Sequence, residues 1–131
     1  MRTINPQELG APKGYSNGAL MPPGSSLLFV AGQIGWNSDQ KIVSAEFLDQ
    51  FDQALRNVVA VVEGAGGRVE HLGRLTLYVT DKSEYLADLQ GLGEVYRRIM
   101  GRHFPAMTLV EVQALLEPGA KVEIEATAAI P

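Results

Sequence analysis

What most constrains this 131-residue chain is that its hydrophobic period changes from two to 3.6 and back again. In Val122-Glu123-Ile124-Glu125-Ala126-Thr127-Ala128-Ala129-Ile130 the even positions are apolar, while Glu123, Glu125 and Thr127 share the other side. Successive strand side chains point to opposite faces, so this is a strand with one greasy and one polar face. Residues 74–80 alternate in the same way, with Leu75, Leu77 and Val79 opposite Arg74, Thr76 and Tyr78. Residues 44–63 instead place Phe47, Phe51, Leu55, Val58, Val59 and Val62 on one helical stripe. A chain that carries both kinds of apolar face buries them by packing helix on sheet.

The remaining segments fill in that plan. Residues 5–26 are rich in Gly, Pro, Ser and Asn and read as loops around a short strand. Leu27-Leu28-Phe29-Val30-Ala31 is a short apolar run stopped by Gly32, which fits a strand buried on both sides. Ser44 is a candidate N-cap for the first helix, and Gly64, Gly66 and Gly67 supply its stop. A second helix is expected over 82–100, capped by Asp81 or Ser83, with Leu86, Leu89, Tyr96 and Met100 on its buried face. Gly91 and Gly93 weaken it by roughly 1 kcal/mol each relative to Ala, or else permit close packing. Residues 108–116, the turn Glu117-Pro118-Gly119 and the strand 122–130 read as a C-terminal hairpin. The expectation is one α+β domain over residues 1–131, a mixed sheet with both helices on one face. Because strand 27–31 is apolar on both sides, the opposite sheet face is expected to be covered by another subunit.

Composition narrows the function. No apolar run approaches the length of a bilayer span, and no apolar stretch follows the basic residue of Met1-Arg2-Thr3-Ile4-Asn5-Pro6, so neither membrane insertion nor a secretory signal is expected. The absence of cysteine excludes disulfides, thiolate metal ligands and a cysteine nucleophile, and it fits a cytoplasmic location. A net charge of −4 argues against nucleic acid, which calls for clustered Lys and Arg. The nearest cluster is Arg97, Arg98, Arg102 and His103; its favoured reading is a solvated helix C-terminus rather than an anion site.

Few residues can carry chemistry. His71 and His103 are the only histidines, and no G-x-S-x-G elbow accompanies them, so they read as surface or capping groups. No metal-ligand spacing occurs, no cofactor is implied, and the glycines do not form a phosphate loop. Glu123 and Glu125, two apart on one strand face, are either acid–base groups in a partly dry groove or a solvent-facing or ion-paired set.

Several motifs, in order along nearly the whole chain, resemble those of one family. Phe104-Pro105-Ala106-Met107-Thr108-Leu109-Val110-Glu111-Val112 followed by Val122-Glu123-Ile124-Glu125-Ala126 is similar to the C-terminal signature of the RidA (YjgF/UK114) family, F-P-A-R-[ST]-x-V-E-V and [VI]-E-[IV]-E-A. Val30-Ala31-Gly32-Gln33-Ile34, Gly14-Tyr15-Ser16 and the helix from Phe51 to Val58 resemble further family motifs. The resemblance implies a chorismate-mutase-like α+β fold, a homotrimer, and clefts between subunits that hold small metabolites. Many members hydrolyse enamines and imines such as 2-aminoacrylate to ketoacids and ammonia. In them an arginine clamps the substrate carboxylate, a glutamate places water, and a tyrosine and a Gly-Gln strand end line the cleft. Those roles fall here on Glu123, Tyr15, Gly32 and Gln33.

The arginine position is occupied by Met107, and the family's frequent cysteine by Leu109. A thioether offers neither the charge nor the paired donors of a guanidinium. Three functions follow: an enamine/imine hydrolase with altered, more apolar substrate choice; a small-ligand-binding trimer without catalysis; and, least supported, an endoribonuclease. Of the arginines that could reach the cleft instead, Arg102 is the closest in sequence.

Overall fold

The fold is described from a computed structural model covering residues 1–131. Strands β1 (Arg2–Ile4) and β2 (Gly18–Leu20) pair antiparallel as a separate two-stranded sheet. The main sheet comprises β3 (Ser26–Ile34), β4 (Leu72–Val79), β5 (Ala106–Glu111) and β6 (Val122–Ile130), in the order β3-β6-β4-β5. β6 is antiparallel to both β3 and β4, and β5 is parallel to β4. Helices α1 (Phe47–Gly64), α2 (Lys82–Leu86) and α3 (Leu89–Met100) cover one face. This is the mixed α+β arrangement expected from the sequence. No helix is long and apolar enough to cross a membrane.

The core follows the two periods. From α1 come Phe47, Phe51, Ala54, Leu55, Val58 and Val62; the sheet answers with Leu75, Leu77, Val79, Val122, Ile124, Ala126 and Ala128. A fully buried side chain such as Leu55 contributes roughly 1.5–3 kcal/mol. Gln50 is the polar exception, with no exposure at all. Its amide donates to Ser44 O (2.8 Å) and Gly119 O (3.0 Å) and accepts from Lys121 N (2.8 Å), tying α1 to the segment before it and to the connection that leads into β6. Gly35 is needed beside it, because an added Cβ would sit 2.6 Å from Gln50 Cα.

The expected C-terminal hairpin is not formed. β4 lies between β5 and β6, and the chain reaches β5 through the helical crossover that a parallel pair requires. β5 ends at Glu111, and Leu116, which the expected strand included, is 99% exposed. The connection to β6 is far longer than the two to five residues of a hairpin loop, and it passes over the end of β4, where Thr80 N donates to Lys121 O.

Other differences are local. The expected helix 82–100 is broken at Ala87 and Asp88, since Asp88 accepts from Gly91 N and caps a new helix. The break turns Leu86 and Leu89 outward, and Leu92 and Val95 join Tyr96 and Met100 inside. Asp81, not Ser83, caps α2. Ser44 does not cap α1, which starts after Glu46; its hydroxyl accepts from Glu46 N and donates to Asp49. The strand expected at 27–31 runs on to Ile34 through a bulge.

Two stability predictions follow. Gln50→Leu deprives two backbone carbonyls and an N–H of their partner, and should cost about 3 kcal/mol, read as a drop of roughly 10 °C in Tm by calorimetry. Tyr96 is buried, and its hydroxyl donates to His103 O at 2.6 Å. Burial holds its phenol well above the ordinary value near 10. The folded value exceeds the unfolded one, so this contribution is complete below about pH 10 and is lost as pH rises further. Urea midpoints should therefore fall between pH 9 and 11.5, and less steeply in Tyr96→Phe.

Candidate functional site

The sheet sorts the chemically interesting side chains onto opposite faces. Met107 and Leu109 are in register with Leu75 and Leu77 of β4, both buried under the helices, so they point to the helix side. There they line an apolar groove of about 520 Å³, along with Tyr15, Leu89 and Tyr85. Tyr15 is brought in by its neighbour. Buried Ser16 donates its N–H to Pro105 O (3.1 Å) and its hydroxyl to Phe104 O (2.6 Å), docking residues 14–16 against the start of β5. Phe104 stacks on Tyr96 at 5.5 Å, closing the floor beneath. The charged side chains that line this groove are Lys13 and Arg97, and no carboxylate does.

Glu123 lies on the other side of the sheet. It alternates with buried Val122 and Ile124 and is in register with Tyr78 on β4 and Ile34 on β3. Its carboxylate rests against Gly32, where any Cβ would collide with Glu123 Oε1. Gly32 occupies the β3 bulge between Val30 and Gln33, and the Gln33 amide donates to Ala31 O at 3.0 Å across it. The carboxylate occupies the space that a side chain at this glycine would fill. Beside them, Tyr78 donates to Glu125 Oε1 at 2.7 Å. That bond, then desolvation and the nearby Glu125 and Glu123 charges, push the Tyr78 phenol above its ordinary value.

One protomer therefore unites Tyr15, Met107 and Leu109 in a groove and separately sets Gly32 against Glu123 on the open sheet face, while Gln33, at the bulge, is in register with Ile124. Arg102 is not among the groove residues, whereas Arg97, read from the sequence as a solvated helix-end charge, is. A signal was available: Arg97 follows buried Tyr96 on an amphipathic helix, one turn after Gly93. The Tyr78–Glu125 contact was foreshadowed by both residues lying on the polar faces of alternating strands. Both histidines are structural: His103 Nε2 lies 2.7 Å from Leu72 O, and His71 Nδ1 accepts from Arg68 N. No group of three or more His, Cys, Asp or Glu side chains converges as a metal site would require.

Comparison with known proteins finds relatives along nearly the whole chain. The family model for endoribonuclease L-PSP matches residues 6–130. The structure of YyfB from Yersinia pestis, a Rid family protein, superposes with a TM-score of 0.85 at 32% identity, covering 98% of each chain. Escherichia coli TdcF, solved with bound serine, superposes with a TM-score of 0.69 at 32% identity over 93% of this chain and 92% of that one. The human 2-iminobutanoate/2-iminopropanoate deaminase is 29% identical over 120 residues, 91% of this chain and 82% of its own. The fold and its open-faced mixed sheet thus define an α+β class shared with these proteins. The chain belongs to the RidA (YjgF/YER057c/UK114) family.

The Gly32–Glu123 contact is directly testable. Gly32→Ala should displace the flexible carboxylate at little cost, within about 1 kcal/mol of wild-type stability by urea unfolding. The Glu123 carboxyl ¹³C resonance should shift while those of the core do not.

Proposed function

We propose that the protein is a hydrolytic deaminase of enamine and imine metabolites that prefers substrates with an apolar, including aromatic, side chain. The observation that carries this reading is the Glu123 carboxylate held against a glycine whose side chain it replaces, in a relative of a named imine deaminase. An enamine first tautomerises to its imine. Glu123 takes a proton from water as the oxygen adds to the imine carbon, and the proton passes to nitrogen. Collapse of the resulting carbinolamine breaks the C–N bond and leaves a carbonyl product and ammonia. A general base of this kind contributes about 10²- to 10⁴-fold. The homotrimer is part of the proposal. An intersubunit cleft would set the groove of one protomer, with Tyr15, Met107 and Leu109, against Gly32 and Glu123 of the next, with Gln33 at the adjoining strand bulge. Exposed Leu27 (65%) and Phe29 (75%) on that open face support burial by another copy.

Met107 sets the preference. Without a guanidinium at this position, a substrate carboxylate loses a charge-assisted contact worth roughly 1.5–3 kcal/mol. The apolar wall formed by Met107 and Leu109 favours a greasy side chain instead.

The test is ammonia release from enzymatically generated imines spanning small, aliphatic and aromatic amino acids. Wild type should favour the larger apolar members over the imine derived from 2-aminoacrylate. Met107→Arg should move the preference toward the small one by about tenfold or more. Glu123→Gln should lower turnover at least 100-fold while leaving ligand binding largely intact. No ammonia release by either wild type or Met107→Arg would displace this reading in favour of a non-catalytic binding trimer. RNA cleavage that survives repurification would favour the nuclease.

A further inference from the structure

The groove joins an apolar wall to an unbalanced positive charge. Thirteen of its 17 lining residues are hydrophobic, and the remainder are Lys13, Gly14, Gly93 and Arg97. In an acidic protein of net charge −4, both charged residues at this groove are cations. Neither is neutralised within the chain: the ion pairs are Arg56–Asp52, Arg68–Glu70 and Lys121–Glu84. Arg98, the next residue on α3, does not line the groove.

Gly93 gives Arg97 its place. It lies one helical turn earlier in α3, where glycine costs roughly 1 kcal/mol relative to alanine. A Cβ there would come 3.0 Å from Arg97 Nη1 and 3.7 Å from Cζ and Nη2. The guanidinium is thus folded back along the helix over Gly93, and both residues line the groove. Gly91 has a separate reason to be glycine, since a Cβ there would collide with the Asp88 carboxylate that caps α3.

We infer that Arg97, assisted by Lys13, is the carboxylate-binding group of this groove, and that it takes an amphipathic anion whose apolar or aromatic body lies against Met107 and Leu109. The anion site is thereby moved from the strand position held by Met107 to the neighbouring helix. A guanidinium keeps its charge at every working pH and can grip a carboxylate through two donors. The inference rests on the proposed deaminase reading only for the identity of the natural ligand as an imino acid. The charge and shape of the groove stand apart from it.

The experiment is an NMR titration of wild-type protein at low salt with 3-phenylpropanoate, its neutral isostere 3-phenylpropanamide, and propanoate. Wild type should bind 3-phenylpropanoate at least tenfold more tightly than either of the others, because only it has both the charge and the apolar body. Arg97→Gln should weaken 3-phenylpropanoate about tenfold and leave the amide unchanged, and Gly93→Ala, which crowds the guanidinium, should act in the same direction. Arg98→Gln serves as the control for general charge and should change nothing. Equal binding by Arg97→Gln and wild type, an equal loss in Arg98→Gln, or no binding of 3-phenylpropanoate by wild type would each overturn the assignment. Arg97-dependent binding in a protein that releases no ammonia would retain the site and remove the deaminase. Ammonia release from aromatic imines with a KM indifferent to Arg97→Gln would do the reverse.

Discussion

β6 is hydrogen-bonded along both edges, and its two-residue alternation decides where everything else can stand. Val122, Ile124, Ala126 and Ala128 face the helices and are almost completely buried. A slip of one residue would put Glu123 and Glu125 into that core and those apolar groups into solvent, so the register is strongly specified. The same alternation holds Glu123 on the open face beside Gly32 and Tyr78. β4 carries the pattern across to β5, whose parallel pairing turns Met107 and Leu109 toward α3. The two chemical halves of the molecule thus sit on opposite faces of one sheet because neighbouring strands share a pleat.

That separation bears on assembly. A single protomer holds a carboxylate with no groove and a groove with no carboxylate. The open face also exposes Leu27 and Phe29, which a helix-covered sheet has no reason to leave in water. A reaction requiring both halves calls for a second copy, and the greasy open face offers the surface against which one would pack. Catalysis and oligomerisation would then depend on the same strands.

Most of the fold could be read from periodicity because burial acts on one residue at a time. The α1 stripe from Phe47 to Val62 and the inner faces of β4 and β6 needed only the spacing of apolar residues. The partnering of β5 was not legible in that way. Its residues suit a parallel or an antiparallel neighbour equally, and only the long connection after Glu111 signals that it does not fold back on β6. The break at Asp88 was visible in principle, since an aspartate three residues before Gly91 is a capping signal, but it competes with an amphipathic pattern that runs through it. Within the site, the motif positions Tyr15, Gly32, Glu123 and Met107 were legible individually. Which of them share a face was not, because that depends on inter-strand register. Arg97 is, as expected, an exposed cation in the last turn of α3, and what the sequence could not show is that it also borders the groove.

Met107 and Arg97 are best considered together. A thioether on β5 offers a carboxylate none of the attraction that a cation on that strand would. A groove lined by Met107, Leu109, Leu75 and Leu77 alone would hold a hydrocarbon but could not orient it. Orientation needs at least one directional polar group, and the helix supplies a guanidinium kept close to the backbone by the absence of a side chain at Gly93. A cation on the helix rather than on the strand leaves the apolar wall beside Met107 open to the body of a ligand. If Arg97 is the anion site proposed above, Met107 and the otherwise costly glycine in α3 are two parts of one arrangement, which reads charge and hydrocarbon at separate places.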